Sequence, residues 1–228
     1  MGRLGDLSYA ISHKMAGRRL LALSRAEYEQ TLSSLMRTLH AIHQVDVSAW
    51  PGCGWIGDDG AGLFPSWQSF IANTIEEERP DGFFGAWHAI FEATFLGREF
   101  FETVSRRMLE LLPFCPEERR LVQGRYGFNN VLAEDVVVTA VLDRADAMYG
   151  DVVYDVAWLA FWDPGHDYAA PLRTDYAGRG VSIPNFEQRL LCYQSFIVLD
   201  GLRFNAKRDH ATAYTWVKDR ISSLLSLT

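Results

Sequence analysis

Two stretches decide how this chain is read: Leu121-Val122-Gln123-Gly124-Arg125-Tyr126-Gly127-Phe128-Asn129-Asn130-Val131-Leu132, and Val141-Leu142-Asp143-Arg144-Ala145-Asp146 running on to Gly150-Asp151-Val152-Val153-Tyr154-Asp155. Leu121-Val122 reads as a short apolar strand. Asn129 to Leu132 and Val136 to Leu142 read as two more, with Ala133-Glu134-Asp135 as the turn. The β-branched run Val136-Val137-Val138-Thr139 supports strand.

Outward from this patch the hydrophobic period becomes helical. Downstream, helices are expected at Tyr154–Trp162, Asn185–Asn205 and His210–Leu227. Upstream, Glu99–Leu112 is amphipathic through Phe100, Phe101, Val104, Met108, Leu111 and Leu112, and Pro113 and Pro116 end it. Ser24-Arg25-Ala26-Glu27 is a capping box. The helix behind it carries Tyr28, Leu32, Leu35, Met36, Leu39 and Ile42 on one stripe. His40 and His43 on this helix are expected at the surface, because no carboxylate or cysteine of the helix shares their face. Trp67–Glu78 reads as helix, and Phe83–Phe95 as aromatic core packing. Pro51–Pro65, with five glycines, reads as an irregular loop. It does not follow a strand and open a helix, so it is not a nucleotide fingerprint. Leu7–Ser12 is a short strand. No repeat or low-complexity tract interrupts the chain. The expectation is one α+β domain over 1–228, mostly helical.

The 228 residues are 48% hydrophobic, ample for a core. A formal net charge of −7 argues against a nucleic-acid partner held through phosphates. Cys53, Cys115 and Cys192 are widely spaced and show neither metal-ligand spacing nor a disulfide framework. The N-terminal MGRLGDLSYAI lacks the basic-then-apolar pattern of a signal peptide. No run of about 18 apolar residues is present for a membrane span. A cytoplasmic protein with no membrane partner is expected.

In order and spacing, the two opening stretches resemble the catalytic loop and metal-binding strand of the aminoglycoside phosphotransferase family, with its hygromycin-modifying members nearest. The resemblance starts near Leu4 and runs almost to the C-terminus. It implies a protein-kinase-like large lobe. Tyr9–Gly17 would be a remnant of the connector to a nucleotide-binding small lobe, and that lobe would be missing. The family loop reads H-x-D-x-x-x-x-N. Its Asp orients or deprotonates the acceptor hydroxyl, and its Asn and a later Asp hold magnesium on the nucleotide. Here Gln123 stands for the His and Arg125 for the Asp, while Asn130 and Asp143 keep the metal positions. Gly150, Asp151, Tyr154 and Asp155 also match and are expected to be structural, with Asp155 tethering backbone amides.

Arg125 changes the chemistry that the resemblance implies. A guanidinium stays protonated and cannot serve as general base. At about 4 Å and an effective dielectric near 20, two unit charges interact by roughly 4 kcal/mol, and a divalent ion doubles that repulsion. The expected arrangement is an Arg125–Asp143 ion pair with the guanidinium in place of the cation. Arg144 is expected on the opposite face of the strand. No cofactor is then expected, and magnesium and ATP enter only if the protein is a kinase.

The acceptor pocket would remain, lined by Trp55, Trp67, Trp158, Trp162, Asp146, Asp163 and Tyr193, with Asn130 on the ligand side and Arg125, Gln123 and Asp143 at its working end. Three functions follow. The pocket could serve a tailoring reaction on a natural product, such as a cyclisation, elimination or hydrolysis, with Arg125 stabilising negative charge. It could bind an antibiotic or regulate a partner without chemistry. It could belong to a small-molecule kinase whose small lobe comes from another chain and whose base is His166, Asp146 or Asp151. An apolar face left by the absent lobe would favour a homodimer.

Overall fold

The computed structural model describes residues 2–5, 7–9, 13–76, 85 and 87–226. A small hairpin comes first, β1 (Gly2–Leu4) against β2 (Leu7–Tyr9). β2 covers the first half of the strand expected over Leu7–Ser12, and residues 10–12 lie outside the described set. β3 (Arg18–Arg19) then leads to α1 (Arg25–His43). The capping box forms: Glu27 N–H donates to Ser24 Oγ at 3.4 Å, and the Glu27 carboxylate accepts Ser24 N–H at 2.7 Å. Tyr28, Leu35, Met36 and Leu39 face the core as their spacing requires.

The glycine-rich segment corrects the loop expectation. It holds two antiparallel strands, β4 (Cys53–Ile56) and β5 (Gly62–Phe64), joined across a register shift. Gly52 has φ +79°, and a Cβ there would collide with the Gly62 carbonyl. The glycines let two backbones approach closely, so they belong to the hairpin. α2 (Trp67–Ala72) stops short of Glu78 and passes into a 3-10 turn at Asn73–Ile75. Phe83 and Phe84 lie outside the described residues; beyond them α3 (Ile90–Ala93) is a single turn.

α4 (Arg98–Leu111) matches its expected span. Next come β6 (Arg120–Val122), β7 (Val131–Glu134), β8 (Val137–Val141) and β9 (Met148–Gly150). The β7–β8 turn is shifted from Ala133-Glu134-Asp135 to Asp135-Val136, at φ +48° and +59°. Such a left-handed pair suits a two-residue hairpin but favours Asn-Gly, so a valine there gives no signal in the sequence. β3, β7 and β8 form one sheet, and β5, β4, β9 and β6 another.

Helices complete the fold: α5 (Val153–Trp162), α6 (Ala169–Gly178), α7 (Phe186–Lys207) and α8 (Ala211–Leu225). α6 had no counterpart in the sequence reading. α7 is the central beam, packed by α4, α5 and α8. Its Cys192, Tyr193, Val198, Leu199 and Leu202 are fully buried. α5 is apolar nearly all round, as a helix enclosed by others must be. Each such side chain removed from water contributes about 1.5–3 kcal/mol.

The histidine expectation is also corrected. His43 is fully buried, with Nδ1 2.8 Å from Tyr176 Oη and Nε2 3.2 Å from Asp155 Oδ2. His40 Nδ1 lies 3.5 Å from Asp175. The carboxylates come from α5 and α6, which a single-helix reading does not see. No described helix is long and apolar enough to cross a membrane.

Candidate ligand site around Arg125

The loop between β6 and β7 is clamped from below. The Asp155 carboxylate, fully buried on α5, accepts Gln123 N–H at 3.0 Å and Gly124 N–H at 2.9 Å while also meeting His43. This is the amide tether expected of Asp155. Gly124 has φ +87°, and a Cβ there would strike the Asp146 carbonyl. Gln123 is buried. Its Nε2 donates to the Asp143 and Leu142 carbonyls at 2.7 and 3.3 Å, and its Oε1 accepts Arg125 N–H at 2.8 Å. Gln123 therefore ties the loop to the segment after β8 and does not face the cleft. Asn130 Nδ2 donates to the Arg125 carbonyl at 3.1 Å, which closes the loop on itself.

The expected Arg125–Asp143 pair is replaced by another. Arg125 Nε forms an ion pair with Asp146 Oδ2 at 2.9 Å. β8 ends at Val141, and Asp143 sits at φ +50° with Oδ1 accepting Ala145 N–H at 3.3 Å. An aspartate that folds onto backbone two residues on makes a local turn. That turn brings Asp146 back over Gly124 and leaves Asp143 exposed. Arg144 faces a separate groove between α1 and β6.

Arg125 and Asp146 line a cleft of about 450 Å³. Trp55 from β4 and Trp158 from α5 line it. The Arg125 guanidinium lies 5.9 Å from the Trp158 ring. Tyr154 also lines the cleft. Burial first, then the charges of Asp200, Asp155 and Asp146, push its hydroxyl well above the usual phenol range. Arg203 of the same lining donates to Thr74 O and Oγ1 at 2.8 and 3.0 Å and approaches Asp200 at 3.7 Å. Phe196, Asp200, Arg203 and Phe204 escaped the sequence reading. Their i, i+4, i+7, i+8 spacing on α7 was the signal that could have found them.

Four expected cleft residues lie elsewhere. Trp67 is fully buried and donates through Nε1 to Tyr193 Oη at 2.9 Å. Tyr193 in turn donates to Asp151, which Arg189 also grips. These groups form the core behind the cleft wall. Trp162 stacks on Trp216 of α8 at 5.5 Å and 10°. Asp163 accepts Tyr168 Oη at 2.6 Å and contacts His166 Nδ1 at 2.8 Å. Burial opposes its charge, yet hydrogen bonds from Tyr168, His166 and Gly165 N–H hold its carboxyl below the usual value.

A sequence model of the phosphotransferase enzyme family, APH, matches residues 3–188. Hygromycin-B 4-O-kinase of Escherichia coli is 32% identical over 162 residues, which is 70% of this chain and 45% of that protein. The matched stretch thus spans less than half of that relative. A thermostable mutant of aminoglycoside phosphotransferase APH(4)-Ia, in ternary complex with AMP-PNP and hygromycin B, superposes with a TM-score of 0.77 at 25% identity, covering 93% of this chain and 70% of that one. Macrolide 2'-phosphotransferase type I is 17% identical with a TM-score of 0.59, over 85% of this chain and 59% of its own, and shows the fold alone.

Proposed function

We propose, from the premise that the chain belongs to the phosphotransferase enzyme family, that it binds a small molecule in the Arg125 cleft and does not itself transfer a phosphoryl group. One observation supports this reading: the permanently charged Arg125, paired with Asp146, takes the place that the resemblance assigns to the family's catalytic aspartate. Such a group accepts no proton. The residues at the metal positions do not fit a magnesium–nucleotide. The Asp143 carboxylate is turned onto Ala145 N–H, the Asn130 amide onto the Arg125 carbonyl, and a fixed cation stands on the same loop. No catalytic step is therefore routed through that metal. What Arg125 can supply is a positive charge for an anion, either bound or developing during a tailoring reaction. A purely sequestering or regulatory protein would use the same contact without turnover.

A second reading, a kinase acting on a hygromycin-like acceptor, is favoured by the ternary complex of its structural relative. The deciding experiment is heat denaturation with and without Mg-ATP and hygromycin B, run beside a γ-phosphate transfer assay. The proposal expects neither a nucleotide-dependent rise in midpoint nor labelled product. A rise with Mg-ATP followed by transfer to hygromycin B would establish the kinase instead.

A further inference from the structure

Arg125 offers more than a charge. Its Nε lies 2.9 Å from Asp146 Oδ2, and its guanidinium carbon lies 5.9 Å from the centre of the Trp158 ring. Its guanidinium donates no hydrogen bond among the described residues, and the side chain is 51% exposed. A guanidinium anchored through one nitrogen, with its outer edge open, matches the two oxygens of a carboxylate or phosphate side by side. Trp55 and Trp158 give the same cleft aromatic surface. The other arginine of the lining, Arg203, is 5% exposed and already donates to both Thr74 oxygens, so it offers no such open edge.

We propose, resting on the non-kinase reading above, that the cleft takes a ring-bodied ligand carrying one oxyanion, a phosphomonoester or a carboxylate, held by the outer edge of Arg125. Its ring lies along Trp158, in the cleft that Trp55 also lines.

The test follows tryptophan fluorescence of the full chain during titration with phenyl phosphate, benzoate and benzyl alcohol. These probes share a ring and differ in the charged group. At least one of the two anions should bind about tenfold or more tighter than the alcohol, as expected of hydrogen bonds to charged groups. The preferred anion separates the phosphate from the carboxylate source. Arg125→Gln should abolish the preference. Arg125→Lys should keep only part of it, because an ammonium lacks the planar fork. If Arg125→Gln fails to fold, the Arg125→Lys arm and the loss of preference at raised salt decide the matter. Equal binding of all three probes, a preference that survives Arg125→Gln, or no binding of either anion overturns the assignment. Failure of the parent reading has a different signature, Mg-ATP-dependent transfer to hygromycin B.

Discussion

Two arginine–aspartate pairs in this molecule use the same chemistry in opposite settings. Arg189 and Asp151 are 3% and 0% exposed, and Arg125 and Asp146 are 51% and 34% exposed. Arg189 grips Asp151 through Nε at 2.8 Å and again through Nη2, and its Nη1 donates to the Pro184 carbonyl at 3.1 Å. Tyr193 adds a third donor to the same carboxylate. Every polar edge is used, so the pair is structural. Arg125 meets Asp146 in one exposed ion pair and its guanidinium donates no hydrogen bond among the described residues, so the pair is available to something else. Residue identity alone does not distinguish the two. Depth and the number of partners do.

The largest expected effect falls on the buried pair. Arg189→Met should destabilise the fold by about 3–5 kcal/mol, because it strands the Asp151 charge in the core. A loss under about 1 kcal/mol in urea unfolding would erase the contrast. Next comes the loop clamp. Asp155→Ala leaves two buried N–H groups and His43 without their acceptor, and should cost about 2–3 kcal/mol along with the anion preference of the cleft. A variant that kept that preference would show that Arg125 needs no clamp.

A third, smaller effect is read by pH. The Asp163 carboxyl titrates below its ordinary value of 3.8 in the folded protein. The unfolded chain therefore binds more protons just below that value. The stability Asp163 lends is complete above about pH 4 and is lost as pH falls through the folded pKa. Asp163→Asn should flatten this part of the acid limb in circular dichroism and leave neutral pH nearly unchanged apart from the lost Tyr168 and His166 contacts. An acid limb identical to the parent's would remove Asp163 from the account. The smallest effect is on the exposed pair. Arg125→Ala should change stability by less than about 1 kcal/mol. A larger loss in urea would make Arg125 a structural residue and undo the comparison from its other side.

The same depth argument explains what was legible in the sequence. Capping and periodicity are local, and they located α1, α4, α5, α7 and α8. The order of Gln123, Arg125, Asn130, Asp143 and Asp155 pointed to the loop, the strand and the amide tether. α6 was hidden because Pro171 sits in its first turn, where a helix tolerates it, and only Leu172 and Tyr176 turn inward. β4 and β5 were hidden because their glycines serve backbone contact across strands, which a one-dimensional reading takes for a loop. The partner of Arg125 was misread by three residues because nothing in the string marks Asp143 as left-handed. Trp67 and Tyr193 were assigned to the cleft on chemical type, when their polar atoms were already spent on each other and on Asp151.

The Asp155 clamp also sets a clock. Gln123 and Gly124 amides are held by a fully buried carboxylate that also joins α1 to α5 through His43, with Tyr176 of α6 on the other ring nitrogen. Such amides exchange with deuterium only when much of the molecule opens. The segment bearing Arg125 should thus be among the slowest to exchange, although the side chain itself faces water. A partner arriving at that edge meets a surface already shaped for it. Little ordering entropy has to be surrendered on contact.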